Sequence, residues 1–482
     1  MKSEHSPQQR LRNWIERAVW WQVYPLGFVG AEPESSACAG VMHRLDHLVR
    51  WLDYATNLGV SGILLGPIFA SSTHGYDTID HFQIDKRLGD EADFGALIKA
   101  AHDRGLRIVL DGVFNHVGRE HPLFQRALAV GSHSPEAAWF RLTRSVDEAL
   151  GEVPDYATFE GHHQLVALNH DEPAVAGYVM SVMNHWLERD ADGWRLDAAY
   201  AVPRRFWADI LPAVRAQHPD AYIFGEVIHG DYAGFVRDTG VDSVTQYELW
   251  KAIWSALNDR NLFELAWALE RNNAMLDSFV PQTFIGNHDV TRIASQLLDK
   301  RHLGHALVIL MTCGGLPSIY AGDEQAFRGI KEQRAGGDDA IRPAFPATPA
   351  GLAPLGWPIY RLHQQLIGLR RRHPWLHKAR SRVTELRNTD FTFEAFHEEN
   401  RLWVALNLAD APIVRAIPAA IARLAGDLAV HRKGTATEIT LPPHGWGILA
   451  KQSDDLNEPC AGTFSLTPRQ KRQNHESAVR FR

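Results

Sequence analysis

Cysteine, signal-like segments and long apolar runs are all scarce in this sequence. Its 482 residues include three cysteines, Cys38, Cys313 and Cys460, whose number and spacing fit neither a disulfide framework nor a zinc-type pair. The first 17 residues are polar and charged and lack the apolar core of a signal peptide. The longest apolar run, 306–321, is broken by glycines and a proline and is short for a bilayer span. We therefore expect a cytoplasmic protein in a reducing compartment, with no membrane partner.

An excess of basic charge is also missing. Lys and Arg number 50 against 57 Asp and Glu, which gives a formal net charge of -7. A nucleic-acid partner would require a basic face for its phosphates, so this balance argues against one. Apolar residues make up 45% and charged residues 22%, a globular balance that excludes wholesale disorder. Aromatic residues are plentiful, and their faces suit sugar rings as well as a large core.

Helical and strand-like patterns alternate from about residue 18 to about residue 375. Eight runs are predicted to be strands, namely 20–26, 62–68, 107–114, 193–196, 222–227, 243–247, 283–286 and 318–321. Eight parallel strands with intervening helices form a (β/α)8 TIM barrel, so the predicted class is α/β. The competing open, doubly wound sheet would normally carry a glycine-rich phosphate turn after its first strand, and Tyr24-Pro-Leu-Gly27 is not one.

Two departures from the barrel pattern predict additional domains. The connection after strand three is oversized, which indicates an inserted subdomain at about 117–169. From near residue 380 the pattern changes to strand alternation, which predicts a C-terminal antiparallel β-domain. The predicted division is an N-terminal segment 1–17, the barrel with its insert 18–382, the β-domain 383–451 and a mobile tail 452–482.

Polar side chains follow the carboxyl ends of several predicted strands, where barrels of this class place their functional residues. Strand three is followed by Asp111, Asn115 and His116, strand four by Arg195 and Asp197, strand five by Glu226, and strand seven by His288 and Asp289. A single acidic residue after a strand is more often a helix N-cap. The convergence of Asp197, Glu226 and Asp289 on one mouth favours a catalytic site instead.

Such a cluster suits the hydrolysis of an acetal. That reaction needs one carboxylate at the anomeric carbon and one carboxylic acid that protonates the leaving oxygen. Crowded carboxylates keep one member protonated near neutral pH. Arg195 lies two positions before Asp197, so both side chains are expected on the same side of the strand. We expect the arginine charge to lower the pKa of Asp197, which makes Asp197 the nucleophile and Glu226 the proton donor.

The ordered motifs resemble those of the α-amylase family, glycoside hydrolase family 13, over about residues 18–450. The matching stretches are His74-Gly-Tyr-Asp77, Asp111-x-x-x-Asn115-His116, Leu168-Asn-His-Asp-Glu-Pro173, Gly193-x-Arg195-x-Asp197, Glu226, Asn287-His288-Asp289, Tyr320-Ala-Gly-Asp-Glu-Gln325 and Pro442-Pro-His-Gly-Trp446. Each stretch alone is a weak signal, whereas the ordered set is highly specific. The resemblance implies a retaining hydrolase of α-glucosidic, mainly α-1,4, bonds with an oligosaccharide substrate.

The resemblance also implies residue roles. Asp197 would be the covalent nucleophile, Glu226 the general acid/base and Asp289 the residue that stabilises the transition state. The remaining matches are Tyr76 as a stacking platform, His116 and His288 as hydrogen-bond donors to the sugar ring, Arg195 beside the nucleophile, Arg342 near the non-reducing end of the substrate, and Asp111 and Asn115 as ordering residues near the site.

Two departures from the family pattern concern metal and substrate. Many starch-degrading members have Lys-His where this chain has Tyr200 and Ala201, which argues against a calcium-dependent enzyme of long starch. Asn115 matches a family calcium ligand, but one neutral oxygen cannot hold the ion, so no cofactor is expected to be required and calcium is only weakly supported. The segment Glu226-Val-Ile-His229 is closer to members that act on short maltodextrins or cyclodextrins.

Three other functions can be compared with the predicted hydrolase. A metallophosphoesterase would share Gly286-Asn-His-Asp289 but also needs Asp-x-His and Gly-His-x-His motifs at positions where this chain lacks them. A non-catalytic carbohydrate-binding relative would be indicated by loss of one of the three carboxylates, and all three are present. A transglycosidase uses the same three carboxylates, so the sequence leaves hydrolysis and transfer open, as it does the oligomeric state.

Overall fold

A computed structural model describes residues 14–451 apart from 16, 131–133, 148–150, 335, 418, 420 and 434–435. The predicted tail at 452–482 and most of the predicted N-terminal segment lie outside the described residues.

Eight parallel strands form one sheet that closes into a barrel. The strands are β1 Trp20–Val23, β2 Gly62–Leu65, β3 Arg107–Gly112, β4 Gly193–Leu196, β5 Tyr222–Gly225, β6 Ser243–Val244, β7 Gln282–Phe284 and β8 Leu316–Tyr320. Hydrogen bonding joins them in the order β6-β5-β4-β3-β2-β1-β8-β7. A parallel bridge between Thr245 and Gln282 connects the two ends of that order. The predicted (β/α)8 barrel is thus confirmed.

The strand ends differ from the predicted ones. Strands one, two, three, five, six and seven were predicted to run two or three residues further than they do. In the first case, Pro25 begins the short helix Pro25–Phe28, and in the sixth, Tyr247 already belongs to a helix. Apolar residues continue past these ends because the loops at the mouth are themselves buried, so hydrophobicity alone does not mark where pairing stops.

Helices surround the barrel in the connections between strands. The connections carry Leu45–Val49 and Leu52–Leu58 after β1, Glu91–His102 after β2, Pro122–Val130 and Pro173–Leu187 after β3, Arg204–Gln217 after β4, Tyr232–Thr239 after β5, Tyr247–Asp259 and Leu262–Met275 after β6, Ile293–Gln296 and Leu303–Thr312 after β7, and Trp357–Arg372 after β8. No helix in the described part of the chain combines the length and apolarity that crossing a bilayer requires.

The barrel interior is filled by side chains rather than left open. Trp20 of β1 stacks on Tyr222 of β5 with ring centroids 5.9 Å apart, and both are almost fully buried. Leu64, Val109, Phe224 and Leu316 complete this inner cluster. A packed interior fixes the positions of the strands, so the residues at their carboxyl ends are held on a rigid frame.

The long connection after β3 contains strands of its own. His116–Gly118 pairs with His162–Ala167, which in turn pairs with Thr158–Phe159, and Leu142–Asp147 pairs with Gly151–Tyr156. This region places Phe159 over the barrel mouth, because its ring stacks on His116 with centroids 4.8 Å apart.

A second set of antiparallel strands follows the last barrel helix. Its strands are Arg380–Leu386, Asp390–His397, Asn400–Asn407, Ile413–Ile417, Ile421–Gly426, Ala429–Lys433, Ala436–Leu441 and Trp446–Lys451. They form a five-stranded and a three-stranded sheet around a small apolar cluster that includes Trp403, Ile439 and Leu449. This C-terminal β-domain confirms the second part of the predicted fold class.

Buried histidines make the stability of the fold depend on pH. His81 is fully buried between the Val113 carbonyl (2.8 Å) and the Tyr178 hydroxyl (3.1 Å). Burial lowers the pKa of His81 from 6.5 to about 4. Because the pKa is lower in the fold than in the unfolded chain, the stability that His81 contributes is present above pH 6.5 and is lost as the pH falls through 4, by about 1.4 kcal/mol per pH unit.

We therefore expect urea midpoints to fall between pH 7 and pH 4.5 and to fall less steeply in His81→Gln than in the wild type. The glutamine amide can still donate to the Val113 carbonyl, and it does not titrate in this range. Equal slopes for the two proteins would contradict this account of the buried imidazole.

Candidate active site

Arg195 lies at the centre of the barrel mouth and contacts three carboxylates. Its Nη1 lies 2.6 Å from Asp111 Oδ1 and 3.1 Å from Asp197 Oδ1, and its Nη2 lies 3.0 Å from Glu226 Oε1. Arg195 pairs with Asp111 in the β3–β4 register, so both side chains project to the same side of the sheet. All four side chains are buried, which makes these contacts much stronger than surface ion pairs.

Two groups that the sequence analysis missed hold Glu226 in place. The Tyr247 hydroxyl donates to Glu226 Oε1 at 3.0 Å, and the backbone N–H of Ala198 donates to Oε2 at 3.0 Å. Tyr247 in turn accepts a hydrogen bond from the Asn287 amide at 3.0 Å. Tyr247 follows β6, so the rule that polar residues follow strands would have found it. Ala198 acts through its backbone, which residue identity does not reveal.

Asp289 belongs to the loop after β7 and is the most exposed of the three predicted catalytic carboxylates, at 30%. Arg342 Nη2 lies 2.9 Å from Asp289 Oδ1 and 2.9 Å from Asp338 Oδ2, and Arg342 Nε donates to the His288 carbonyl at 2.9 Å. Burial alone would raise the pKa of Asp289, but His288, Arg342 and Arg195 outweigh it and lower the pKa to about 2. Asp289 is therefore ionised at neutral pH.

His288 is neutral, and its contacts define which nitrogen carries the proton. Burial lowers the pKa of His288 to about 3. The Gln22 amide donates to Nδ1 at 3.0 Å, so Nε2 carries the proton, and this nitrogen lies 3.0 Å from Asp289 Oδ2. Tyr24 and Tyr76 lie nearly parallel to the imidazole, at 8° and 7°. Gln22 was not predicted; it ends no strand, and only its contact with His288 reveals its role.

Tyr76 and His116 occupy the side of the mouth nearest β3. The Tyr76 hydroxyl donates to Asp111 Oδ2 at 3.1 Å and also contacts His288 Nε2. His116 Nε2–H donates to the Tyr76 carbonyl at 3.1 Å, and burial lowers the pKa of His116 to about 3. The structure thus brings Tyr76, Asp111 and His288 into direct contact, while His116 supports the Tyr76 backbone.

Asn115 does not lie in a calcium-like set of donors. Its amide is 3.1 Å from His116 Nδ1, and its carbonyl accepts the Leu168 N–H at 3.1 Å. The neighbouring Asn169 amide donates to the Ala138 carbonyl, and His170 Nε2 donates to the Phe114 carbonyl. Calcium prefers six or more oxygen ligands, several of them carboxylate. These residues therefore do not fit a calcium ion.

The pKa expected for Asp197 was wrong in direction. Burial raises the pKa of Asp197 well above its ordinary value, and the attraction of Arg195 offsets this only in part. Burial likewise raises the pKa of Asp111 to about 6, again against the lowering effect of Arg195. The spacing of Arg195 and Asp197 correctly placed the ion pair, but it could not show that the pair is desolvated and shares its cation with two further carboxylates.

A closed barrel of eight parallel strands, with buried carboxylates around an arginine at the carboxyl ends, is typical of (β/α)8 glycoside hydrolases. Residues 22–381 match the family described as alpha amylase, catalytic domain. The chain belongs to the α-amylase family.

Individual relatives agree with this assignment. The chain is 34% identical over 341 residues to a cyclomaltodextrinase from Geobacillus thermopakistaniensis (strain MAS1) and 32% identical over 341 residues to a maltogenic α-amylase from Bacillus acidopullulyticus. Each alignment covers 66% of this chain and 57% of the relative, so the chain spans little more than half the length of these proteins.

Solved structures match over more of the chain. The debranching enzyme of Nostoc punctiforme, soaked with acarbose, superposes with a TM-score of 0.76 at 27% identity, over 91% of this chain and 99% of that one. A cyclomaltodextrinase superposes with a TM-score of 0.78 at 25% identity, over 91% of this chain and 78% of that one.

Proposed function

We propose that this protein is a retaining glycoside hydrolase that cleaves α-glucosidic bonds, mainly α-1,4, in maltooligosaccharides or related α-glucans. The observation that carries the proposal is the contact of one buried arginine, Arg195, with both Asp197 and Glu226, while Asp289 is held ionised beside them. The printed names of the relatives, cyclomaltodextrinase, maltogenic α-amylase and neopullulanase, support this substrate class. A Bacillus subtilis relative named intracellular maltogenic amylase supports a cytoplasmic location.

The proposed reaction has two displacements at the anomeric carbon. Glu226 donates its proton to the glycosidic oxygen as Asp197 attacks, so the bond to the leaving sugar breaks and a glycosyl ester forms. Glu226, now ionised, takes a proton from water, whose oxygen attacks the same carbon and releases Asp197. Arg195 holds Asp197 Oδ1 at 3.1 Å, which leaves Oδ2 as the attacking oxygen.

Electrostatics inside the closed mouth favour the transition state. In the proposed transition state, the positive charge that develops on the sugar ring is close to Asp197 and Asp289. This charge lowers the pKa of Asp197, which burial raises in the free site. The ion pair with Arg342 orients the carboxylate of Asp289, whose Oδ2 lies 3.0 Å from Nε2 of neutral His288. We propose that Asp289 binds hydroxyls of the distorted sugar, with the Tyr76 ring as the platform beneath it.

A contact between the inserted region and the barrel supports a short substrate. The Tyr200 hydroxyl donates to Glu160 Oε1 at 2.8 Å, and the preceding Phe159 stacks on His116. The turn at Phe159–Glu160 therefore links the loop after β4 to His116 across the side of the mouth next to Asp197 and Glu226. We infer that this link limits the length of glucan that can lie in the site.

The substrate-length proposal predicts higher kcat/KM on maltotriose than on soluble starch. In Tyr200→Phe, the lost hydrogen bond frees the turn, and the ratio of starch to maltotriose activity is expected to rise about fivefold, the equivalent of one hydrogen bond. The panel includes maltose, maltotriose, cyclodextrin, sucrose, trehalose and starch, with initial rates and products followed by chromatography.

Tyr360→Phe is the matched control, because its hydroxyl bonds to the Tyr54 carbonyl in the outer helical layer. A wild type that prefers starch, or a Tyr360→Phe variant that changes the ratio as much as Tyr200→Phe, would overturn the proposal. Products longer than the substrate as the main early species would assign transfer instead of hydrolysis.

A further inference from the structure

Two histidines and a carboxylate meet where the barrel packs on the C-terminal β-domain, away from the carboxylate cluster at the mouth. Asp299 and His302 immediately precede the helix Leu303–Thr312, and His444 lies in the loop before the strand Trp446–Lys451. The helix and the β-domain approach closely here, because a Cβ at Gly304 would lie 2.7 Å from Trp446 Nε1. Asp299 and His302 therefore come from the barrel and His444 from the β-domain, and the packing of the two domains brings them together.

The nitrogen and oxygen atoms of this group that could bind a metal ion face one another. His302 Nε2 lies 3.0 Å from His444 Nδ1, and Asp299 Oδ2 lies 4.0 Å from the first nitrogen and 3.9 Å from the second. Ligand atoms around a tetrahedral zinc ion, each at about 2.0–2.1 Å, are separated by roughly 3.3 Å. If the Asp299 carboxylate moved by about 0.7 Å, its oxygen would take the third corner of such a tetrahedral site.

The surroundings prepare His444 to act as a metal ligand. Its Nε2–H donates to Asp410 Oδ1 at 2.8 Å, so the proton is on Nε2, and the lone pair of Nδ1 accepts a hydrogen bond from His302 Nε2–H at 3.0 Å, which a zinc ion between the two nitrogens would replace. A carboxylate behind the distal nitrogen is the usual outer partner of a zinc-bound histidine. The His444 backbone has φ of 53°, a left-handed conformation uncommon for a non-glycine residue, and its N–H is tied to the Ala409 carbonyl.

Burial and charge favour a partly open site. The His302 and His444 side chains are 3% and 7% exposed, whereas Asp299 is 31% exposed, so an ion and one water molecule can enter from the Asp299 side. Asp299 Oδ1 accepts from the backbone N–H and the Nε–H of Arg301, each at 3.0 Å, and Oδ2 accepts from Arg301 Nη2 at 2.7 Å, which orients the carboxylate.

We propose that Asp299, His302 and His444 form a zinc-binding site that fastens the C-terminal β-domain to the barrel. Two imidazole nitrogens and one carboxylate oxygen suit Zn²⁺ and not Ca²⁺, which prefers an all-oxygen shell. Water would supply the fourth ligand. Such an ion would add a link between the two domains at a point where His305 Nε2–H already donates to the carbonyls of Asn407 and Gly445, each at 3.1 Å.

A second group of ligand-type side chains within the described residues serves as an internal control. His43, Asp90 and Asp93 also have donor atoms close together. There, Asp90 and Asp93 form the capping box of the helix Glu91–His102, and His43 donates directly to Asp93 Oδ2 at 2.7 Å. This group has a single imidazole, whose side chain is 63% exposed, so we expect no zinc at this place.

The test measures zinc binding by the full chain. Protein stripped with EDTA and freed of the chelator is titrated with zinc chloride at pH 7.5 by calorimetry, and X-ray absorption identifies the ligands. We expect one zinc ion per chain, two histidine nitrogens in its shell, and a rise in the melting temperature of about 5 °C at a hundredfold excess over the dissociation constant. Calcium chloride is expected to produce neither effect.

Variants separate this site from non-specific binding. His302→Gln and His444→Asn are expected to lose binding and the melting shift. Asn suits the left-handed backbone at 444, and the His305 contacts remain, so both variants are expected to fold. Asp410→Asn is expected to weaken affinity about 10-fold or more, and His43→Gln to change nothing. Absence of binding by the wild type, equal binding by His444→Asn, or loss in His43→Gln would overturn the proposal.

Discussion

Asp197→Asn is expected to lower kcat on maltotriose by at least about 10⁴-fold while the protein remains folded. The amide cannot form the glycosyl ester, and it is nearly isosteric with the carboxylate that Arg195 holds at 3.1 Å. It also removes one negative charge from a buried group that already contains Asp111 and Glu226, so the melting temperature is expected to stay the same or rise.

Proton NMR of the wild-type reaction supplies the second measurement for this prediction. Two displacements at the same carbon leave the α-anomer as the first product, and the β-anomer then appears only by mutarotation. Asp238→Asn, in an exposed ion pair with Arg204, is the matched control and is expected to keep full activity. A folded Asp197→Asn variant with a tenth of the wild-type rate, or an initial β-product, would remove Asp197 as the covalent nucleophile.

Glu226→Gln has the second largest expected effect, and its size depends on the leaving group. On maltotriose the loss is expected to be about 10²–10⁴-fold, because the leaving sugar needs a proton. Fluoride needs none, so the variant is expected to release it rapidly from α-glucosyl fluoride in the first turnover. The stalled glycosyl ester is then expected to be released by azide, since this small anion attacks without a general base.

The two substrates separate chemistry from structure at Glu226. The glutamine amide cannot satisfy both the Ala198 N–H and the Tyr247 hydroxyl as the carboxylate does, so some loss could come from a displaced side chain. Displacement would slow both substrates and leave no intermediate for azide. Equal losses on fluoride and maltotriose without azide rescue would therefore attribute the loss to displacement and contradict the predicted dependence on the leaving group. Glu264→Gln, which breaks an ion pair with the exposed Lys251, is the control.

The barrel and most residues at its mouth could be predicted from the sequence, and the physical reason is the same for both. Apolar runs alternating with helical stripes predict the parallel strands, and the carboxyl ends of such strands meet at one face. Arg195 and Asp197 could be placed side by side from the period of a strand, and the structure has them 3.1 Å apart.

What the sequence could not supply depends on packing between distant segments. Ala198 adopts a left-handed backbone conformation with φ of 43°, and its N–H donates to Glu226. An alanine in the sequence does not predict that conformation. Gln22 controls the proton on His288 across 266 positions of the chain. The pKa of Asp197 depends on how completely its surroundings exclude water, which emerges only when all eight strands are assembled.

The barrel closes through few backbone contacts between β6 and β7, and Glu226 is held by a residue next to this joint. β1 and β2 are joined at four paired positions, whereas β6 meets β7 through the single bridge of Thr245 with Gln282 and the hydrogen bond from Gln246 N–H to the Gln282 carbonyl at 2.9 Å. Tyr247, whose hydroxyl holds Glu226, is the next residue. Opening of the barrel at this joint would move Tyr247 and so weaken one of the contacts that hold Glu226. Exchange of the Gln246 amide with deuterium therefore reports how often this joint opens.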